Sequence, residues 1–195
     1  MIKENYEMQD ADVTLYKSVF TDTESKTAFT NLIEKIIWQQ DEIKLFGNII
    51  KLPRLTAWYG DEYKSYKYSG IEMHPNAWNE DLLLIKDRIE NISKINFNSC
   101  LLNYYRNGND SVSWHQDNEK ELGVNPAIGS VSFGATRIFQ LKHISDVHLK
   151  KIDIPLTNGS YLLMDGTTQH YWKHQIPKTR KVEEPRINLT FRKII

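Results

Sequence analysis

The chain has 195 residues, of which 40% are hydrophobic and 26% are charged. This composition is typical of a folded globular domain and excludes an intrinsically disordered chain. The 25 Lys and Arg residues balance the 25 Asp and Glu residues, so the formal net charge is zero. A zero net charge neither predicts nor excludes a nucleic-acid partner, because basic side chains can still cluster on one face.

The single cysteine and the N-terminal residues bear on the compartment. Cys100 stands alone, so no disulfide can form within the chain, and its apolar neighbours Leu101 and Leu102 predict a buried strand. The first residues contain no apolar stretch typical of a signal peptide. No apolar run is long enough to cross a bilayer. We therefore expect a cytoplasmic, monomeric protein with no membrane segment.

The first half of the chain predicts two helices. Thr21 and Glu24 match a capping box at the start of the first one. Apolar residues at helical spacing follow this box at Phe29, Leu32, Ile33, Ile36 and Ile37. A second helix is predicted after Pro75. Its apolar stripe consists of Trp78, Leu82, Ile85 and Ile89.

From about residue 97 onward, the pattern changes to short β-rich segments separated by glycines. These segments are residues 100–105, 128–133, 137–141, 160–164 and 187–191. Helices followed by many short strands indicate helices packed on a β-sandwich or a jelly roll. The predicted fold class is therefore α+β and mainly β, with N-terminal helices packed against a jelly roll.

His115 and Asp117 form a His-x-Asp pair. On an extended segment, two side chains at this spacing point the same way and can hold one ion together. With His174 as the best-placed third ligand, they would form the two-histidine, one-carboxylate triad that binds iron(II). His170 is a rival third ligand. A zinc site is a further alternative, although the chain lacks the clustered Cys and His of structural zinc sites. On the tripeptide alone, a surface histidine beside a surface acid is the simpler interpretation.

The last predicted strand alternates strictly between two kinds of side chain. One face carries Ile187, Leu189 and Phe191, and the other carries Arg186, Asn188, Thr190 and Arg192. An amphipathic strand with a solvated polar face is the general interpretation. Two guanidinium groups on one face also suit a dicarboxylate ligand, because Arg forms paired, charge-assisted hydrogen bonds to carboxylates. In a jelly roll, this face would share a cavity with the His-x-Asp strand.

Several motifs follow one another in a fixed order. They are Pro53-Arg54, Ala57-Trp58-Tyr59-Gly60-Asp61, Asn103-Tyr104-Tyr105-Arg106-Asn107-Gly108, Trp114-His115-Gln116-Asp117-Asn118-Glu119 and the segments 128–134, 159–164 and 185–192. This series resembles the motifs of AlkB-type dioxygenases, especially the animal homologues that repair alkylated DNA. The resemblance covers roughly residues 45–195, and several ordered motifs are far more specific than one. The first forty-odd residues show no such resemblance.

The resemblance implies a double-stranded β-helix, which is a jelly roll, with iron(II) bound by His115, Asp117 and His174. It favours His174 over His170 because the family ligand lies just before an apolar residue and a proline, here Ile176-Pro177. Many relatives have a second Asp directly after the metal-binding one, and Asn118 departs from that pattern.

The resemblance also implies a site for the co-substrate 2-oxoglutarate. Five residues would contact it, namely Asn103, Tyr105, Arg186, Thr190 and Arg192. By the same resemblance, Arg192 would pair with the distal carboxylate of 2-oxoglutarate, whereas Arg186 would lie nearer the metal end of the cavity.

A pocket for the substrate base is implied as well. Tyr59 and Glu119 match pocket-lining positions, and Glu119 would favour a positively charged methylated base by Coulomb attraction. A solvated acid is the simpler interpretation of Glu119. Leu45-Phe46-Gly47 resembles the apolar finger that fills the gap left by a flipped base, although Phe46 suits a core position almost as well.

Taken as a whole, the resemblance implies oxidative demethylation of bases such as N1-methyladenine and N3-methylcytosine in DNA, with O2 consumed and formaldehyde, succinate and CO2 released. A dioxygenase acting on RNA or protein is one alternative, and a jelly-roll binding protein without catalysis is another. The basic run Lys178, Arg180 and Lys181 suits either phosphate contacts or a solvated loop. We expect a single domain over 1–195, with the dioxygenase core at about 97–195 and a helical, substrate-recognition part at about 1–96.

Overall fold

The computed structural model describes residues 1–45, 47–62, 66–68, 71–73, 75–181 and 184–195. Its strands are Ile2–Met8 (β1), Ala11–Lys17 (β2), Glu42–Leu45 (β3), Asn48–Lys51 (β4), Leu55–Gly60 (β5), Tyr66–Tyr68 (β6), Ile71–Met73 (β7), Ser99–Tyr105 (β8), Val112–His115 (β9), Ile128–Gly134 (β10), Arg137–His143 (β11), Ile152–Leu156 (β12), Ser160–Asp165 (β13), Trp172–Ile176 (β14) and Arg186–Arg192 (β15). Its helices are Asp22–Lys35 (α1), Glu80–Ser93 (α2) and Thr168–Tyr171 (α3), and Lys120–Leu122 forms a 3-10 turn.

Two antiparallel sheets form the body of the protein. The major sheet has seven strands in the order β1-β2-β13-β10-β15-β8-β5, and the minor sheet has four in the order β12-β11-β14-β9. The short hairpins β3–β4 and β6–β7 are separate two-stranded sheets. The two larger sheets, whose neighbouring strands are mostly distant in sequence, form the predicted jelly roll, and the mainly β fold class is confirmed.

The first helix begins at the capping box predicted from the sequence. The Thr21 hydroxyl accepts a hydrogen bond from the Glu24 backbone N–H at 3.2 Å, and the Glu24 carboxylate accepts one from the Thr21 backbone N–H at 2.8 Å. The second helix begins after the N-cap Asn79, whose side chain accepts a hydrogen bond from the backbone N–H of Leu82 at 2.9 Å. Each cap satisfies a backbone donor that has no partner within the helix.

The major sheet separates two apolar cores. On one face, helices α1 and α2 pack Leu32, Leu82 and Ile89 against side chains of the central strands. On the other face, the two sheets enclose a second core. Cys100 belongs to the helix-side core and is fully buried, and burial raises the pKa of its thiol well above the usual range. The prediction of a structural cysteine is confirmed.

The N-terminal strands β1 and β2 were not predicted from the sequence. Strand β2 pairs with β13, and β1 pairs with β2 at the edge of the major sheet. No side chain of β1 is fully buried, and half-buried residues alternate with exposed ones only from Glu4 to Met8, with an acid at the first of these positions, so the apolar alternation is too short to identify a strand. The segment 1–96 therefore combines two helices with strands β1–β7, rather than being the helical part that the sequence predicted.

Within the described ranges of the chain, no helix is both long and apolar enough to cross a bilayer.

Replacing Thr21 with Ala removes the hydroxyl that caps α1. We expect the free energy of unfolding to fall by about 1 kcal/mol, the usual cost of losing an N-cap side chain. Urea titration followed by tryptophan fluorescence measures this change. Thr23→Ala, at an exposed position inside the same helix, is the matched control. An equal loss in both variants would contradict the capping role.

Candidate metal and co-substrate site

A cavity lies between the two sheets, where β8, β10 and β15 face β9, β11 and β14. All three predicted metal ligands and all five predicted 2-oxoglutarate residues line it. The polar residues of β15 reach this cavity because its apolar residues Ile187, Leu189 and Phe191 belong to the helix-side core. The predicted alternation of the last strand therefore holds, and its polar face lies inside the protein rather than in solvent.

The three predicted metal ligands come together in one cluster. His115 ends β9 and lies opposite His174 in the antiparallel pair β9–β14, whereas Asp117 follows β9 in an irregular segment. One ligand atom from each residue lies within 4.8 Å of the others. The rival His170 is exposed, and its Nε2 is 2.8 Å from the Asn125 side-chain oxygen. The structure thus assembles the triad with His174, as the resemblance implied.

Neighbouring groups aim the ligand atoms at a common point. The Nδ1 atom of His115 lies 2.8 Å from the carbonyl oxygen of Ser113. Because a carbonyl only accepts, Nδ1 carries the proton and Nε2 keeps a free lone pair. The Arg192 guanidinium donates to Asp117 Oδ1 at 2.6 Å, while Asp117 Oδ2 lies 3.7 Å from His174 Nε2. One carboxylate oxygen is thus held and the other faces the histidines.

The electrostatics of the cluster keep its ligands in the states that bind a metal. Burial raises the pKa of Asp117, but the Arg192 guanidinium, followed by His174 and His115, outweighs it and lowers that pKa to about 2. Burial and then the neighbouring His115 lower the pKa of His174 to about 3. At neutral pH, Asp117 is therefore ionised and His174 is neutral, as metal coordination requires.

Arg186 is a buried cation at the start of β15. It is 1% exposed, and its guanidinium lies 5.2 Å from the centre of the Tyr105 ring. Its Nη2 donates to the Ser132 hydroxyl at 2.8 Å, whereas its Nε and Nη1 have no hydrogen-bond partner among the described residues. Burial lowers the pKa of Arg186 to about 10, so the side chain remains cationic at neutral pH. Two buried donors on one guanidinium suit a carboxylate ligand.

The two arginines occupy the opposite ends from those expected. The resemblance placed Arg192 at the distal carboxylate and Arg186 at the metal end, but Arg192 is the residue that contacts the ligand Asp117. Arg186 lies six residues earlier on the same extended strand, which separates the two backbones by about 20 Å. The expectation was wrong because strand alternation assigns a face to each arginine but not an end of the cavity.

The remaining predicted co-substrate residues sit between these arginines. The side-chain oxygen of Asn103 accepts a hydrogen bond from Arg54 Nε at 2.7 Å. This contact does not use the amide N–H groups of Asn103. The Thr190 hydroxyl donates to the Asn188 side-chain oxygen at 3.1 Å. The Tyr105 ring lies against the guanidinium groups of both Arg186 and Arg137. Amide, hydroxyl and guanidinium groups therefore line this part of the cavity.

The structure does not bring Tyr59 to this cavity. Tyr59 is 4% exposed and packs in the helix-side core, where its hydroxyl accepts a hydrogen bond from the backbone N–H of Ile37 at 3.3 Å. Its neighbour Trp58 faces the inter-sheet core instead. The expected pocket role of Tyr59 is corrected here, because alternation along β5 gives that face to residue 58.

The other two predicted substrate residues are Glu119 and Phe46, and neither is placed in this cavity by the described residues. Glu119 follows the metal ligands, and its Oε2 is buried without a hydrogen-bond partner in the described part of the chain. It is not one of the residues that line the cavity. Phe46 lies outside the described residues, so its predicted role as an apolar finger stays a prediction.

Sequence reasoning missed two polar residues that line the cavity, Ser130 and Arg54. The amide of Asn188, on the predicted polar face of the last strand, donates a hydrogen bond of 2.8 Å to the Ser130 hydroxyl, and Arg54 contacts Asn103. The alternation of small polar and apolar residues in 128–133 was a usable indication for Ser130. Arg54 belongs to the Pro53-Arg54 motif, but nothing in the local pattern assigns its side chain to a face of a strand.

The donor set fits iron(II) and 2-oxoglutarate. Two imidazole nitrogens and one carboxylate oxygen in a buried cluster form the facial ligand set of non-haem iron(II) oxygenases. The unpartnered donors of Arg186, in the same cavity, fit a carboxylate of a co-substrate. His115, Asp117 and His174 would hold the metal, and Arg186 would bind the co-substrate.

Comparison with known proteins agrees with this site. A sequence model of the 2OG-Fe(II) oxygenase superfamily matches residues 12–192. The chain therefore belongs to the 2OG-Fe(II) oxygenase superfamily.

Similar proteins identify the AlkB-type branch of that superfamily. The chain is 42% identical to "Alpha-ketoglutarate-dependent dioxygenase alkB homolog 3" of Bos taurus, covering 88% of the chain and 62% of that protein. It is 40% identical to the Homo sapiens protein of the same name, covering 93% and 66%. It is 35% identical to "DNA oxidative demethylase ALKBH2" of Homo sapiens, covering 92% and 72%. The AlkB-type resemblance is confirmed, although the chain spans less than two thirds of the first two relatives.

Solved structures share the fold. The structure of OsALKBH1 superposes with a TM-score of 0.68 at 17% identity, covering 97% of this chain and 100% of that one. A prolyl hydroxylase from Trichoplax adhaerens, in complex with a peptide fragment of hypoxia inducible factor, gives 0.63 at 12% identity, covering 93% and 83%. At such identities, these likenesses concern the fold alone.

The depressed pKa of His174 predicts a pH dependence of the metal-free protein. The folded protein binds this proton only near pH 3, whereas an unfolded chain binds it below its ordinary value of 6.5. Stability should therefore decrease as the pH falls from about 6.5 toward 3. Urea titrations at several pH values measure the slope.

His174→Gln removes this contribution and should flatten the slope. The exposed His148 provides the matched control, and His148→Gln should keep the steeper wild-type slope. Identical slopes in the wild type and in His174→Gln would contradict the assignment.

Proposed function

We propose that the chain is an Fe(II)- and 2-oxoglutarate-dependent oxidative demethylase of alkylated bases in DNA, such as N1-methyladenine and N3-methylcytosine. It would consume O2 and release formaldehyde, succinate and CO2. One observation carries the proposal: the His115–Asp117–His174 cluster shares its cavity with the unpartnered guanidinium donors of Arg186. The substrate class is supported by relatives named DNA oxidative demethylase.

The chain's own residues prepare the metal site before any metal binds. Nε2 of His115, Oδ2 of Asp117 and Nε2 of His174 would be the ligand atoms. Iron(II) bound there, together with 2-oxoglutarate and O2, supplies the oxidising power that hydroxylates the alkyl carbon. Arg192 holds Asp117 Oδ1, so the carboxylate presents one oxygen to the metal. With only three protein ligand atoms, the metal would keep positions for a co-substrate and O2.

Arg186 would bind the distal carboxylate of 2-oxoglutarate. Within the described part of the chain, its Nε and Nη1 have no hydrogen-bond partner, and the side chains that shift its pKa are Tyr105 and Arg137 rather than a carboxylate. A buried cation without an anionic partner is costly, so an anionic ligand is stabilised there. The amide N–H groups of Asn103 are free to donate to the same ligand, because Arg54 already occupies the amide oxygen. Tyr105 and Thr190 complete the co-substrate wall.

The substrate would be a flipped base, because the alkylated atom lies on the pairing edge of the ring. Glu119, whose Oε2 is buried without a partner among the described residues, is the proposed group for attracting a cationic methylated base. The exposed residues Lys178, Arg180 and Lys181 follow β14. Within this loop, the backbone N–H of Thr179 donates to the Gly108 carbonyl at 2.8 Å. This basic loop would contact phosphates. We also propose that the protein is a monomer and that it acts in the cytoplasm.

The purified, iron-loaded protein should remove one methyl mass from DNA oligonucleotides that carry N1-methyladenine. The reaction should require 2-oxoglutarate and stop in Asp117→Ala, which loses a metal ligand. Mass spectrometry of the oligonucleotide measures it, and a methylated RNA oligonucleotide runs in parallel. Turnover of 2-oxoglutarate with unchanged DNA would show that the substrate is wrong. Absence of both with iron bound would overturn the dioxygenase assignment.

Replacing Arg186 with Gln should weaken 2-oxoglutarate binding by about 10- to 100-fold, the range expected when a hydrogen bond to a charged group is lost. The KM for 2-oxoglutarate, or its Kd by calorimetry, measures the effect. Arg180→Gln removes an exposed arginine and is the matched control for 2-oxoglutarate affinity. If Arg192→Gln weakened binding while Arg186→Gln did not, the assignment of the distal carboxylate to Arg186 would fail.

A further inference from the structure

The metal ligand Asp117 lies outside every strand and helix. Strand β9 ends at His115, and the 3-10 turn begins only at Lys120. No sheet ladder therefore fixes the backbone that carries the central carboxylate. A carboxylate ligand needs a fixed backbone, because small displacements of the ligand atom weaken metal binding. Something other than secondary structure must hold residue 117 in place.

The contact that fixes this backbone comes from Gln169 in α3. Its side-chain Oε1 accepts a hydrogen bond from the Asp117 backbone N–H at 3.0 Å, and the residue is fully buried. Its Nε2 faces the sulfur of Met164 at 3.6 Å, so the amide is oriented with its oxygen toward Asp117. A second contact runs the other way, since the Gln116 side chain donates to the Gln169 carbonyl at 2.8 Å.

The short helix α3 is itself anchored to the N-terminal strands. The Thr168 hydroxyl accepts a hydrogen bond from the Asp12 backbone N–H at 2.9 Å and donates to the Asp165 carbonyl at 2.6 Å. At the other end, the Trp172 indole N–H donates to the Gln9 carbonyl at 2.9 Å. Hydrogen bonds thus tie β2 to Thr168 of α3, and its chain neighbour Gln169 to the backbone of the metal ligand.

We propose that Gln169 is a positioning residue that holds Asp117 for metal binding and that the N-terminal hairpin β1–β2 supports the site through α3. Gln169 touches neither the metal nor the co-substrate in this proposal. It acts through the backbone of Asp117, in the way that groups behind metal ligands orient them. The inference rests on the proposed metal site, but not on the nucleic-acid substrate.

The test is Co(II) binding to the purified, metal-free chain. Calorimetry measures the Kd, and the visible absorption of the bound Co(II) reports on the geometry of its ligands. Gln169→Met keeps the volume of the side chain and removes the acceptor. We expect the Kd for Co(II) to rise about 10- to 100-fold, the usual effect of losing a group that orients a metal ligand. The absorption spectrum should also change, because the Asp117 carboxylate is no longer held in one geometry.

Gln140→Met is the matched control. Gln140 is a half-buried glutamine of the minor sheet whose amide bonds to Asp153 and Gln175, and its replacement should leave the Kd at the wild-type value. Gln169→Asn serves as a second variant, because its shorter side chain keeps the amide but cannot reach Asp117. It should weaken Co(II) binding as well, and it keeps the test available if Gln169→Met does not fold.

Thermal unfolding of each metal-free variant separates positioning from general stability. A lower Tm with an unchanged Kd in both Gln169 variants would overturn the proposal, and so would an equal loss of affinity in Gln140→Met. Asp117→Ala provides the reference for the site itself. If Asp117→Ala loses Co(II) while the Gln169 variants bind normally, only the positioning role fails. If Asp117→Ala binds Co(II) like the wild type, the proposed metal site fails with it.

Discussion

The ion pair between Arg192 and Asp117 joins the two sheets at the cluster of predicted metal ligands. Arg192 ends β15, an interior strand of the major sheet, and Asp117 follows β9 of the minor sheet, with 2.6 Å between Nη2 and Oδ1. The Asp117 side chain is only 3% exposed, and an unpaired carboxylate at such a depth would take up a proton. Arg192 keeps it ionised, which makes it a metal ligand. The same contact occupies one oxygen and leaves the other facing the histidines.

One face of strand β15 packs in the helix-side core, and the other face lines the cavity. Ile187, Leu189 and Phe191 are fully buried beneath the helices, while the residues between them line the cavity. The pairing of β15 with β8 and β10 fixes both faces together. A register slip of one residue would place guanidinium groups in the apolar core, so the fold resists that error strongly. The packing energy of the core therefore also fixes the position of the site.

Local patterns predicted what depends on local structure. The capping box at Thr21, the two faces of β15 and the cluster of His115, Asp117 and His174 all follow from spacing along the chain or from an ordered motif. Three features depend on tertiary topology and were missed or misplaced. Contacts between distant segments decide these three features: the end of the cavity that each arginine reaches, the face of β5 that carries Tyr59 and the pairing of the edge strand β1. Strand periodicity defines faces relative to one another, but not which face meets the other sheet.

Two buried arginines show how the structure distinguishes support from binding. Arg137 and Arg186 both lie against the Tyr105 ring, at 5.5 Å and 5.2 Å from its centre, and both are 2% exposed or less. Arg137 donates to the carbonyl oxygens of Asn107, Asp110 and Pro177, which ties together loops at the edge of the site.

Arg186 instead keeps two donors without partners among the described residues. Each buried donor left unsatisfied costs about 1–3 kcal/mol. The fold thus gives Arg137 three carbonyl partners and leaves its neighbour Arg186 with two donors that suit an anionic ligand. If 2-oxoglutarate binds at Arg186 as proposed, its binding would recover free energy that folding alone does not, and it would make the protein with its co-substrate more stable than the protein without it.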